Sequence, residues 1–188
     1  MNDVIETIAA RRSVRRYADR PLDRETLQVL IEAGHAAPSG ANAQGWRFVV
    51  VQDRTIRDQL MALAVPRYKK WMEKAPPALT EMRREIDAVA SDPIYYRAPA
   101  ILFVIGSGMT AALDTPMVCQ NVMLAARSLG IGSCWVYFGQ LALEDAEARA
   151  LLELQEGESV YGPILLGYPE NGEFPPAPPK KEPVVKWL

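Results

Sequence analysis

Apolar positions recur along the chain with two periods, one near 3.6 residues and one of two, and the switches between them mark the elements. Val4, Ile5 and Ile8 keep helical spacing behind Asn2 and Asp3, either of which can cap a helix ending near Arg11. An extended segment follows from Arg12 to Tyr17. Asp23 then caps a second helix with Leu27, Leu30 and Ile31 on one face, Gly34 near its end and Pro38 as its stop. Pro38 to Gly45 carries turn residues, and the apolar run Trp46 to Val51 predicts a buried strand.

Asp53 can cap a third helix carrying Ile56, Leu60 and Leu63, after which Pro66, Pro76, Pro77 and Pro93 predict a break into short helical pieces. Residues 67–96 combine charge with Tyr68, Trp71, Tyr95 and Tyr96, which suits a lid over a pocket and equally a helical hairpin whose aromatics anchor it to the core. Ala100 to Ile105 predicts a second buried strand. Asp114-Thr115-Pro116 opens a helix running to Leu129, with Gly130 at its C-terminus, and its apolar character nearly all round predicts burial on more than one side. Ser133 to Phe138 and Val160 to Leu166 predict two more strands, with a short helix over Leu143 to Leu152 between them. The remainder, 169–188, is a proline-rich arm whose apolar end, Val184 to Leu188, needs a surface to cover it; a partner subunit supplies one.

Composition narrows the class. The chain has 188 residues, 49% of them hydrophobic and 23% charged, which fits one globular domain over 1–188. No run of eighteen apolar residues occurs and the N-terminus lacks the pattern of a secretion signal, so a cytoplasmic protein without a membrane partner is expected. A net charge of -2 argues against nucleic acid as a partner, since such binding draws on a basic surface. Cys119 and Cys134 lack metal or dithiol spacing and read as core thiols; His35, the only histidine, reads as a surface or packed residue at a helix end. No carboxylate pair, catalytic triad, metal cluster or dinucleotide-binding glycine turn is visible, and no metal is expected.

Three constellations carry chemistry. Arg11-Arg12-Ser13-Val14-Arg15 places planar guanidinium donors and a hydroxyl close together, a set suited to phosphate, although a charge run is more often a solvated basic turn. Ala37-Pro38-Ser39-Gly40-Ala41-Asn42-Ala43-Gln44-Gly45-Trp46 allows close backbone approach to a flat ligand and offers amides for its polar edge, or it is an ordinary connection. Gly130 to Phe138, with Trp135, Val136 and Tyr137, could pack beside a ring system or be only a buried strand.

In this order and spacing, R-R-S-V-R, then A-P-S-x-x-N-x-Q-x-W about two dozen residues later, then L-G-I-G-S-C-W and a Pro/Lys-rich arm, the chain resembles the nitroreductase family of flavoproteins over nearly its whole length. The resemblance implies an α+β fold of three layers, α/β/α, with a central mixed, mainly antiparallel sheet flanked by helices, and a homodimer with an exchanged C-terminal arm. It implies an FMN-dependent oxidoreductase that passes hydride from NADH or NADPH to a small-molecule electron acceptor such as a nitroaromatic or quinone, by a ping-pong scheme in which the cofactor carries the reaction and no side chain is itself catalytic. Arg11 and Ser13 match positions on the FMN phosphate with Arg12 nearby, and Arg15 matches a cation at the pyrimidine side of the ring. Pro38, Ser39, Gly40 and Asn42 match a loop given by the other subunit, while Trp135, Val136 and Tyr137 match the stretch along the ring. Lys180 and Lys181 lie where an arginine usually reaches the phosphate, and Tyr68, Trp71 and Tyr96 fall in the segment that shapes the acceptor pocket.

The sequence departs from the family pattern at Lys181, which loses bidentate geometry, and at Gly45, which replaces a proline before Trp46. The resemblance also admits a flavin-dependent dehalogenase or a flavin-consuming enzyme on the same fold. Outside enzymes, a non-catalytic flavin- or nucleotide-binding protein is the competing class.

Overall fold

The computed structural model describes residues 2–89 and 91–188. One sheet organises it. Strands β1 (Trp46–Val51), β2 (Ala100–Gly106), β3 (Gly132–Trp135), β4 (Ser159–Val160) and β5 (Ile164–Gly167) pair in the order β1-β2-β5-β3, with β4 also on β2. Every pair of named strands is antiparallel, and a parallel bridge between Ser13 and Ser133 adds the extended segment beside β3.

The period of two on β2 divides the core. Ile101, Phe103 and Ile105 face one hydrophobic cluster, while Ala100, Leu102 and Val104 face the other. All are buried on both sides, as expected for a central strand read as one apolar run. The first face is covered by α3 (Arg54–Met72), a 3-10 segment Tyr137–Glu144 and α6 (Ala146–Leu151); the second by α2 (Arg24–His35) and α5 (Ala111–Ser128). The result is the three-layer α+β arrangement. Helix α1 (Asp3–Ala10) packs against α5, and α4 (Pro77–Val89) lies beyond α3.

Local chemistry sets the helix starts. Asn2, Asp23 and Asp53 accept the backbone N–H three residues on, at 3.1, 2.7 and 3.0 Å, which satisfies donors that the first turn leaves open. Four expectations need correction. Pro66 does not break α3, which runs through it for 19 residues: Leu60, Ala64 and Tyr68 are buried along one stripe, and Arg67 adds a guanidinium bond to the Leu63 carbonyl at 2.8 Å one residue on from the rung that Pro66 removes. The strand expected over Ser133–Phe138 stops at Trp135, and the chain turns into the 3-10 segment, so the expected helix over Leu143–Leu152 shrinks to α6. The strand expected over Val160–Leu166 is split in two around Gly162-Pro163, since Pro163 has no N–H for the ladder. Finally, α5 begins at Ala111, three residues before the expected start at Asp114; in the single chain it leaves Leu113 and Met117 exposed.

Candidate functional site

The extended segment after α1 lies along β3, held by the Val14 N–H on the Ser133 carbonyl at 3.0 Å and by Val14 packing over Gly132. Alternation along an extended backbone sends Arg11, Ser13 and Arg15 to one side and Val14 into the core. Arg12 differs from its neighbours: its Nη1 donates to the carbonyls of Ala9 and Arg11 at 2.7 and 2.6 Å, so its guanidinium closes the C-terminus of α1.

Cys134, buried under this segment, reports its electrostatics. Burial pushes the thiol up, while Arg15, the Ser13 hydroxyl and Arg11 pull the other way. The pairing of Ser13 and Val14 with Ser133 sets Arg11, Ser13 and Arg15 in a row beside β3, within electrostatic reach of Cys134, as Arg83 also is. Just beyond it, Trp135 and Tyr137 are exposed and Val136 is buried, its N–H given to the Pro163 carbonyl at 2.9 Å. A basic, hydroxyl-bearing edge thus adjoins an exposed aromatic strip.

The segment 67–96 closes this region from one side, and here the structure shows what the sequence concealed. Arg83 on α4 is only 6% exposed. Its Nε donates to the Tyr68 hydroxyl at 2.9 Å, Nη1 to the Tyr96 hydroxyl at 2.7 Å, and Nη2 to Asp87 at 2.9 Å and to the Pro93 carbonyl at 2.5 Å. Tyr68 in turn donates to Asp87 at 2.5 Å, and burial raises its phenol to about 12. Tyr68 and Tyr96 are buried and engaged with Arg83, whereas Trp71 stays partly exposed and meets Phe138 edge-on at 5.1 Å. Arg15 lies over the Tyr96 ring, 6.0 Å from its centroid. Arg83 and Asp87 were not singled out in the sequence, where an arginine on a charged helix looks like any solvated residue.

The loop Pro38–Asn42 is elsewhere. Gly40 donates to the carboxylate of Asp114, and a Cβ at Gly40 would meet Thr110 at 3.0 Å, so the loop is seated on the first turn of α5. Ser39 accepts the Gln44 N–H at 3.0 Å, and Ala41, Asn42 and Gln44 adopt positive φ, a tightly wound turn. Gly45 is required by space: a Cβ there would lie 2.6 Å from the Ser107 carbonyl oxygen. The arginine segment sits at the opposite end of α5, where Arg127 donates to the Ala10 carbonyl at 3.2 Å. Asp114 and Arg127 are thirteen residues apart on that helix, about 20 Å. Within one chain the loop and the arginine edge therefore do not meet. Lys180 and Lys181 are exposed on the arm, whose first residues are tied down by Phe174 against Arg127, 4.1 Å from ring to guanidinium.

The donors present fit a planar cofactor with a phosphate tail: guanidinium and hydroxyl groups on one edge, aromatic and backbone surface on the other. Fold and site together define the class: an α+β protein whose donor set suits a bound, phosphate-bearing cofactor. The comparisons give the family. The model of the nitroreductase family matches residues 8–168, and the chain belongs to that family. Among its relatives is a Vibrio harveyi NADPH-flavin oxidoreductase, 33% identical over 180 residues that cover 95% of this chain and 71% of the relative. A nitroreductase with bound FMN from Bacteroides fragilis superposes with a TM-score of 0.79 at 30% identity, covering 100% of both chains. Oxidised iodotyrosine deiodinase bound to FMN and 3-iodo-L-tyrosine superposes at 0.82 over 98% of each chain, but at 22% identity this is a likeness of fold.

Proposed function

We propose that the chain is an FMN-dependent oxidoreductase that takes reducing equivalents from NADH or NADPH and delivers them to a small electron acceptor, a quinone or a nitroaromatic being the expected type. The observation that carries this reading is the row of Arg11, Ser13 and Arg15 along β3, which runs on into exposed Trp135, buried Val136 and exposed Tyr137, in a member of the nitroreductase family whose relatives include flavin oxidoreductases. FMN, when bound, supplies the hydride chemistry at its ring.

The chain's own residues bind and orient. Arg11 and Ser13 would take the phosphate through charge-assisted hydrogen bonds, with Lys180 and Lys181 adding charge from the arm. Arg12 contributes mainly by closing α1, given its two carbonyl contacts. Arg15 would set a positive charge beside the polar edge of the ring, favouring its reduced state. Trp135, Val136 and Tyr137 would line the ring, and Trp71 beside Phe138 would border the acceptor space. Tyr68 and Tyr96 would act as its buried wall.

The proposed assembly is a homodimer. The separation of the Pro38–Asn42 loop from the arginine edge supports a site completed by the partner's loop through Pro38, Ser39, Gly40 and Asn42. Exposed Val4, Ile5 and Ile8 on α1, Leu113 and Met117 on α5 and the apolar end of the arm supply surface for such an interface. In this reading the chain acts as one domain, with 67–96 as the pocket wall and 169–188 as the exchanged arm. Two free, buried cysteines suit a reducing cytoplasmic setting.

Purified protein should carry flavin absorbance that bleaches anaerobically with NADH or NADPH and returns on adding a quinone. Protein that is colourless and takes up no FMN on reconstitution overturns the reading.

A further inference from the structure

The buried cation of the 67–96 segment has no part in the functional reading above, yet it touches both walls of the candidate site. Arg83 Nη1 donates to the Tyr96 hydroxyl at 2.7 Å, and Arg15 lies over the ring of the same residue, 6.0 Å from its centroid. The guanidinium also stands 5.5 Å from the centroid of Phe138, the residue directly after the Trp135-Val136-Tyr137 strip, and Phe138 packs edge-on against Tyr68 at 4.9 Å and Tyr137 at 5.7 Å. One planar fork thus fixes two phenols and one phenyl ring that belong to three different elements.

Tyr96 needs that restraint. It and Arg97 both have positive φ, 51° and 52°, a conformation that costs a non-glycine residue energy and persists only where surroundings impose it. The buried Asp92 carboxylate imposes it from the backbone side by accepting the N–H groups of Ile94, Tyr95 and Arg97 at 3.1, 2.8 and 3.2 Å. Arg83 imposes it from the side chain. With the Nη2 contacts to Asp87 and the Pro93 carbonyl, the charge on Arg83 is partnered, so a cation can stay buried there.

We infer that Arg83 is a positioning residue for the redox site: through the Tyr96 hydroxyl it holds the ring that seats Arg15, and through Phe138 it braces the strip opposite. The inference rests on the flavin reading of that site. A buried latch of this kind sets where the Arg15 charge stands relative to the cofactor, which alters how readily the cofactor is reduced and how well an acceptor is oriented.

The test uses FMN-loaded protein in three variants, Arg83→Met, Tyr96→Phe and the double variant, read by midpoint potential, by separate kcat and KM for the acceptor, and by Tm. Arg83→Met should move the potential negative and lower acceptor kcat/KM about tenfold. Tyr96→Phe keeps the buried ring and removes only the hydroxyl, so it folds even if Arg83→Met does not, and it should shift both quantities the same way. The double variant should be no worse than the poorer single one, since both cut one connection. A fall in Tm with potential, kcat and KM unchanged in yellow, dimeric protein overturns the inference and leaves the flavin reading standing. Wild-type protein that takes up no FMN overturns both.

Discussion

The backbone N–H of Gly40 points at the carboxylate of Asp114, 3.3 Å from each oxygen, and the Thr110 hydroxyl donates to the same carboxylate at 2.7 Å. An acid 6% exposed thereby joins the Pro38–Asn42 loop to the start of α5, where negative charge is also favoured by the helix dipole. Asp114→Ala removes the acceptor from two donors and should cost about 1–3 kcal/mol of stability, read as a fall in the urea midpoint. In the proposed dimer it should also weaken FMN binding by loosening the loop. Unchanged stability would mean that water replaces the carboxylate without loss.

Ser13 tests the phosphate edge with little structural cost. Its backbone, not its side chain, forms the bridge to Ser133, so Ser13→Ala leaves the segment paired with β3. One charge-assisted hydrogen bond is worth about 1.5–3 kcal/mol, so FMN affinity should fall by roughly 10–100-fold by fluorescence titration while Tm of the flavin-free protein barely moves. Equal affinity in the variant contradicts the assignment of Ser13 to the phosphate.

How much of this was legible in the sequence depended on whether the signal was local. The caps at Asn2, Asp23 and Asp53 and the bounds of β1 follow from neighbours in the chain, and the structure keeps them. Pro66 misled because local chemistry forbids what tertiary packing of Leu60, Ala64 and Tyr68 enforces. Of the candidate site, Arg11, Ser13 and Arg15 come together along β3, whereas Arg83 was invisible: only a fold that brings Tyr68, Tyr96 and Asp87 around it distinguishes it from a surface arginine.

Acid should destabilise the protein through Glu158. Its carboxylate takes two hydrogen bonds from Arg47, both at 2.7 Å, and these hold its pKa below the ordinary value, with the Gln155 N–H at 2.9 Å adding to the effect. A folded-state pKa below the unfolded one gives stability that is complete above the unfolded value, about 4.3, and is lost as pH falls through the folded one. Asp145, held low by the Glu147 N–H and by Arg67, acts in the same direction. Glu158→Gln should therefore be less stable than wild type at pH 7, and the gap should be smaller at about pH 3, as protonation of Glu158 begins to remove the ion pair. Urea midpoints at the two pH values check this; a gap that is the same at both removes the ion pair from the explanation.

The proposed dimer makes the strongest demand, because it sets surface chemistry against site chemistry. On α1, Ile8 is 52% exposed one turn before Arg11, within reach of its guanidinium, and Val4 is 65% exposed two turns before it, so Val4→Glu is the companion variant whose charge stands clear of the residues assigned to the cofactor. Ile8→Glu should leave the fold of each subunit intact, since α1 contributes no buried side chain, yet it should halve the mass seen by light scattering. If the partner's Pro38–Asn42 loop completes the site, the monomer should lose most of its FMN together with its partner, because its own loop stands about 20 Å away along α5. A folded monomer that retains stoichiometric FMN would separate the two and place the whole site within one chain. Loss of flavin in step with loss of mass, across a series of such variants, would tie cofactor binding to association.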